Sequence, residues 1–436
     1  MKKLVALCVT WLVIVLGNAS VSAETSLQQM IDDTPENGVL ELSDQVYEGN
    51  ITITKPITII GSEHTVIRGD QRGNVIEIFG SGVHLKKLSV QDSGIDRNSE
   101  EEYAAIKVHS DENHIESITI SNSFHGIYLS QAHENRIEGI DVTGVDVSGQ
   151  VAAQGNGIHV YYSNGNTIIN NHVTGTRDGI FFDYSNENEV VDNMISETRY
   201  GLHYMYSDDN RFDNNSFSQN TGGAAIMHSR RNELTNNTFS LNQSTRSFGL
   251  LLQSANDNVV TGNEFFQNQR GVFIDQSQRN YLANNEFFQN HIGIEIWASA
   301  NDQTFTENTF FRNIASVITV GGQSTNQWSE GDMGNYWGRE LPLLDLDQDG
   351  VGDFPVTFES GLYQLIEENE LAYLFLKSPT ITIYEKMNQL LSRQKVMFVD
   401  EYPLVDGDST PLLSRIPFFL LLVAVVAIGL RRRQLR

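Results

Sequence analysis

The chain has 436 residues, with 29 Lys+Arg against 55 Asp+Glu and a formal charge of −26. That balance argues against nucleic acid as a partner, because a phosphate-binding surface needs a basic face, and against polyanionic substrates unless a bound cation intervenes. The single cysteine, Cys8, lies in the leader, so disulfides, thiol catalysis and thiolate metal sites are excluded from the exported body.

Lys2 and Lys3 precede an apolar run from Leu4 to Leu16, followed by Val21-Ser22-Ala23. This pattern predicts a signal peptide over residues 1–23, cut before Glu24, and hence export. At the other end Ile416–Leu430 is apolar and is followed by Arg431, Arg432, Arg433 and Arg436. As a helix it rises only ~22 Å, short of the ~30 Å hydrocarbon core, a mismatch that snorkelling arginines relieve. The positive-inside rule then predicts a tail over 416–436 on the inner membrane, joined by a linker over 406–415, with the body outside. Without the leader's two lysines and the tail's five arginines, Arg415 included, 22 basic residues face 55 acidic ones. The exported body therefore favours cations.

Between these ends runs a repeat. Glycines at 126, 157, 179, 201, 223, 249, 271 and 293 open copies of one pattern, mostly 22 residues apart. Asparagine stands nine places on, at Asn135, Asn166, Asn188, Asn210, Asn232, Asn258 and Asn280, and again at Asn171, Asn193, Asn215, Asn237, Asn263 and Asn285. Alternation such as Gly157-Ile-His-Val160 reads as a strand with one buried face. Three short strands and three turns per copy predict an all-β fold, a right-handed parallel β-helix over residues 24–326 including its N-terminal cap. Stacked coils superpose equivalent residues, and the asparagines become ladders that satisfy turn backbone rather than catalytic groups. Residues 327–405 are predicted as a C-terminal cap with an Asp-rich loop and two helices, Gly361–Leu376 and Thr380–Leu391, separated by Pro379.

A stacked fold lets outward residues be projected. With each glycine as zero, positions one and three point inward, two and four outward. His203 is at two and Met205 at four of one coil; Met227 is at four of the next, with His228 beside it. Met205 and Met227 should superpose, flanked by two imidazoles, and thioether with imidazole suits Cu(I). The alternative is that the methionines pad a half-covered surface beside stacked Tyr162, Tyr184 and Tyr206. His159 and Asp183 extend this patch, whereas His125, His172 and His291 lack a methionine or carboxylate partner by this counting and read as turn residues. Asp345, Asp347, Asp349 and Asp353, with Gly350, match the start of a calcium loop. Val356 stands where a bidentate glutamate belongs, so calcium and an Asx-rich turn remain alternatives. No Gly-x-Ser-x-Gly, P-loop or His-Glu-x-x-His occurs. Arg177 and Arg199, expected on successive coils near Asp178, are the one hint of a sugar-lyase groove.

The chain from about Ser26 to Pro403 resembles the family of NosD, a nitrous oxide reductase maturation protein. The resemblance is carried by the opening Gly49-Asn-Ile-Thr-Ile-Thr-Lys55-Pro-Ile-Thr-Ile-Ile-Gly61, by Gly334-Asn335-Tyr336-Trp337 followed by Asp345–Asp353 and Pro355, and by Lys377-Ser378-Pro379. It implies a periplasmic accessory protein without enzymatic turnover. It also implies partnership with an ABC-type permease and its ATPase, a copper chaperone lipoprotein and nitrous oxide reductase, with Cu(I) as transient cargo. The C-terminal helices would then dock the permease. The basic-ended tail after Pro417 departs from the family pattern. The expectation outside this resemblance is a β-helix that binds carbohydrate or cleaves a uronate polymer.

Overall fold

The computed structural model describes residues 26–145, 151–321, 325–338, 343–360, 375, 378–390 and 395–406. The predicted leader, most of the linker, the apolar tail and, apart from Phe375, the predicted helix Gly361–Leu376 lie outside the described residues. No helix among the described residues is long and apolar enough to cross a membrane.

The chain winds into a right-handed-type parallel β-solenoid of about 13 coils. One wall is a twelve-stranded parallel sheet, hereafter the front sheet, which includes His125–Ser130, Ile158–Tyr161, Asp178–Asp183, Tyr200–Met205 and Gly222–Met227. Two shorter strands per coil build the remaining walls, each pairing with its equivalent one coil away, as Thr167–Ile169 does with Glu189–Val191. Alternation within each strand sends one set of side chains inside. In Tyr200–Met205, Leu202 and Tyr204 are fully buried while His203 and Met205 are half-buried on the outer face. The interior is a column of aliphatic and aromatic residues. Phe217, Phe239, Phe265, Phe287 and Phe310 stack at 4.8–5.2 Å, and Trp337 continues the column 4.6 Å beyond Phe310.

The glycine column has a steric cause. A Cβ at Gly223 would stand 2.3 Å from the carbonyl oxygen of Gly249, so neighbouring coils approach only where no side chain intervenes. The asparagines form the expected ladders. Asn215 Oδ1 accepts from the backbone N–H and the side-chain amide of Asn193 at 3.0 and 2.9 Å, and its own amide donates to Val190 O and Asn237 Oδ1 at 2.8 and 2.9 Å. Each asparagine thus satisfies a turn that the strands leave unpaired. A third ladder, Asn220, Asn242, Asn268, Asn290 and Asn313, closes the remaining corner.

Both ends are closed against edge pairing. Helix α1, Leu27–Asp33, is capped by the Ser26 hydroxyl, which accepts from Gln29 N–H, and it buries Leu27 and Ile31 over the first coil. The Gln28 amide bonds both backbone groups of Thr52 on the exposed strand edge, at 2.8 and 3.0 Å. At the far end coil stacking runs on to Trp337, where an antiparallel pair, Val356–Ser360 with Lys395–Asp400, packs Phe358 and Phe398 on Trp337 and Trp328. Asp400, fully buried, accepts from Asn335 N–H at 2.9 Å and Trp337 Nε1–H at 2.7 Å. A Cβ at Gly334 would collide with that carboxylate, which accounts for the Gly-Asn-Tyr-Trp sequence. Helix α2 runs Pro379–Leu390 and exposes Ile383, Met387 and Leu390.

Candidate metal-binding face

Register fixes two columns on the outside of the front sheet. One runs Lys107, Tyr128, His159, Phe181, His203, Ala225; the other runs Tyr161, Asp183, Met205, Met227, Gln253. Met205 and Met227 are therefore direct neighbours on adjacent coils, both half-buried. Met227 leans on an apolar patch of Ala225, Phe248 and Leu251. His203 lies on the same outer face two residues before Met205.

His203 is oriented from behind. Its Nδ1 lies 2.9 Å from Asp178 Oδ2 and 3.3 Å from Arg199 Nη2; the carboxylate, which only accepts, is the nearer, so Nδ1 carries the proton. No group among the described residues bonds Nε2, so its lone pair is available to a ligand, the carboxylate–imidazole arrangement typical behind metal-binding histidines. The ring is held by stacking on Phe181 at 4.6 Å. Arg199 Nε donates to Asp178 Oδ1 at 2.8 Å, and its guanidinium lies 4.6 Å over the Tyr200 ring. Burial opposes the charge on Asp178, but the hydrogen bonds from His203 and Arg199, with the Arg199 charge, outweigh it and hold the carboxyl below its ordinary range. Arg177 lies one coil away, with its backbone carbonyl bonded to Arg199 N–H at 2.7 Å, as the repeat predicts.

The fourth residue of the projected patch sits apart. His228 occupies a left-handed corner at φ 51° and stacks on Tyr206 at 5.0 Å. It thereby extends the exposed Tyr162–Tyr184–Tyr206 ladder, whose rings are 4.9 Å apart. The structure thus groups His203, Met205 and Met227 on the sheet and places His228 at its margin. Asp183, next to Met205 in the column, has its carboxyl raised by burial.

The expectation that His125 and His172 are unpartnered turn residues is corrected. His125 begins a strand, is buried, and its Nε2 lies 2.7 Å from Glu102 Oε2; His172 is also a strand residue and pairs with Asp141 at 3.3 Å. His291, at a bend, contacts Gln269 through Nδ1. Glu102 arrives from the insertion before the Ala104–Val108 strand, which counting within the repeat cannot place. Glu102, His125 and His159 bring three ligand atoms within 4.8 Å of one another. Yet His125 Nδ1 accepts from Asn156 N–H at 2.9 Å, so the proton sits on Nε2 and points at Glu102. That ring cannot offer Nε2 to a metal without giving up the backbone bond. His159 is buried with neither ring nitrogen partnered, and burial drives its imidazole far below the ordinary range, so it is neutral.

In the Asp-rich loop Asp345, Asp347 and Asp349 each bring a carboxylate oxygen within 4.8 Å of the others. Asp345 Oδ2 accepts from Gly350 N–H at 3.1 Å while its Oδ1 is buried without a partner. Asp353 turns to Leu346 N–H at 2.7 Å. These bonds are those of an Asx-rich turn, and the carboxylate oxygens of the three residues are of the hard type that calcium takes.

No curated relative matches this chain. Among solved structures, the mannuronan C-5 epimerase AlgE6 A-module of Azotobacter vinelandii superposes with a TM-score of 0.53 at 13% identity, covering 68% of this chain and 91% of that one. The surface adhesin PfbA of Streptococcus pneumoniae gives 0.52 at 11% identity over 65% and 85%, and a PL6 alginate lyase 0.51 at 13% over 71% and 81%. Enzymes and an adhesin share the scaffold at these identities, so the likeness shows the fold alone. Residues 140–340, which hold the Met205–Met227 pair, match the family described as NosD, periplasmic copper-binding protein, and over that stretch the chain is NosD-like.

Proposed function

We propose that the protein is a periplasmic accessory protein that receives Cu(I) on the outer face of the front sheet and passes it on. The reading rests on one observation: Met205 and Met227 are in register on the outer wall, two residues along from an imidazole held by Asp178 with its Nε2 free. Thioether sulfurs with one neutral imidazole form a soft ligand set that prefers Cu(I) to harder cations. The strand spacing of about 4.8 Å is closed by rotation of the methionine side chains, which carry three rotatable bonds each. His228 is a reserve ligand from the corner. The match of residues 140–340 to a copper-binding family supports the cargo. On this reading the cargo serves the copper centre of nitrous oxide reductase, in concert with an ABC-type permease and ATPase, a copper chaperone lipoprotein and the inner membrane. Calcium in the Asp345–Asp349 loop would serve the cap and not the cargo.

The competing reading, a sugar-binding or uronate-cleaving β-helix, is weakened because Arg199 is already committed to Asp178 and offers less to a sugar carboxylate. Cu(I) titration against a chromophoric chelator decides. Met205→Ala with Met227→Ala should abolish tight binding while circular dichroism is unchanged; unaltered affinity and stoichiometry would remove the site. Turnover of a uronate polymer that Arg199→Ala abolishes would favour the sugar reading.

A further inference from the structure

A second cluster stands on a different wall, near the N-terminal end. The strands His84–Gln91 and His114–Ser121 pair in parallel with His84 opposite His114 and Lys86 opposite Glu116. The next strand, Arg136–Glu138, places Arg136 beside His114 and Glu138 beside Glu116. The two imidazoles stack with centroids 4.4 Å apart and planes at 9°. Each reaches diagonally to a carboxylate: His84 Nε2 lies 3.0 Å from Glu116 Oε2, and His114 Nε2 lies 3.3 Å from Glu138 Oε2. Arg136 Nε holds Glu138 at 2.7 Å, which leaves Glu116 as the carboxylate without a guanidinium partner.

We infer that His84, His114 and Glu116 form a binding site for a borderline divalent cation of the zinc class. The three offer one ligand atom each within 4.8 Å of one another. Two imidazoles and one carboxylate, with a position left to water, are a donor set that zinc takes in open sites. The tautomers can change to suit it. Without an ion the carboxylates, which only accept, hold a proton on each Nε2. No group among the described residues bonds Nδ1 of either ring, so both protons can move to Nδ1 and both Nε2 lone pairs can turn to an ion, which His125 cannot do without losing its backbone bond. The rings must tilt: zinc–nitrogen bonds of about 2.0–2.1 Å at tetrahedral angles need nitrogens ~3.3 Å apart. That is within reach of side chains 27% and 31% exposed on an open face. The donors are harder than the Met205–Met227 pair and lie outside the NosD-matching stretch, so this site is independent of the proposed copper function.

The test uses the exported protein stripped of metal and titrated with Zn²⁺ alone, with Co²⁺ as a spectroscopic probe. One Zn²⁺ per chain should bind at micromolar or tighter, and the Co²⁺ form should show the strong visible absorption of a four-coordinate site. His84→Gln and His114→Gln should each weaken binding at least tenfold, and their combination should abolish it. Met205→Ala with Met227→Ala should leave Zn²⁺ binding intact. Unchanged Zn²⁺ stoichiometry and affinity in the folded double histidine variant would overturn the site. Glu116→Gln, a conservative exchange at a half-buried position, provides a second arm, and unaltered affinity there would exclude the carboxylate and with it the three-ligand site.

Discussion

Asp178→Asn isolates what the carboxylate behind His203 does. The wild-type side chain is 2% exposed and takes bonds from His203 Nδ1 and from two nitrogens of Arg199. An amide keeps the shape but carries a donor on one side. If the NH₂ faces His203, Nδ1 must accept, the proton moves to Nε2, and the lone pair offered to copper is gone. If it faces Arg199, two donors oppose each other in a buried place. Removing one partner of a buried ion pair costs about 3–5 kcal/mol. Arg199 is 32% exposed and can turn to water, so we expect about 2 kcal/mol here. Loss of an outer-shell carboxylate should lower metal affinity roughly 10–100-fold. Urea unfolding followed by circular dichroism reads the first quantity and chelator competition for Cu(I) the second. The sign with pH follows. A carboxyl held below its ordinary range contributes stability above the unfolded value of about 4, and that contribution is lost as pH falls through the lower folded value. The wild type should therefore lose more stability than the variant on acidification below about pH 4. A variant that unfolds more easily yet binds Cu(I) as the wild type does would show that Asp178 and His203 only brace the wall.

Two further predictions concern the scaffold. Asn215→Ala strips the acceptor from Asn193 N–H and a donor from Val190 O, and an orphaned buried group with the lost packing should cost about 3 kcal/mol in urea. Ser216→Ala, on a half-buried neighbour, should stay within about 0.5 kcal/mol, and equal effects at the two positions would refute the ladder's role. Gly223→Ala drives a methyl to 2.3 Å from Gly249 O, where backbone cannot yield, and should cost about 3 kcal/mol or prevent soluble expression. A soluble variant that melts with the wild type would show that the coils are looser than described.

What could be seen in advance follows from the period. At a spacing of 22, Gly201 and Gly223, Asn193 and Asn215, and Met205 and Met227 must superpose once the coil is closed, and they do. The rule fails where chain is inserted. His84 and His114 are 30 residues apart because the segment between them carries an extra loop, and that loop also delivers Glu102 to His125. The third asparagine ladder was hidden for a related reason: Thr198 stands at the equivalent place one coil earlier, so the column begins only at Asn220. The cap motif Gly334–Trp337 had no reading by pattern, because its partner, Asp400, is 65 residues from Asn335.

A solenoid repeats its own requirements. Glycine where coils touch, asparagine at corners and aromatic rings inside recur because each coil must satisfy the next. A column that keeps one chemistry is explained by stacking alone, as with the Phe217–Phe310 series. Columns whose chemistry changes at each step are not. On the outer front sheet, Lys107, Tyr128, His159, Phe181 and His203 succeed one another in register, and beside them a tyrosine gives way to an aspartate and then to two methionines. No demand of the fold selects those residues, and His159 within the column and Asp178 behind His203 are buried polar groups that a purely structural wall would replace with aliphatic ones. The departure from repetition, confined to a few adjacent coils, is what supports the proposal of ligand chemistry on this face.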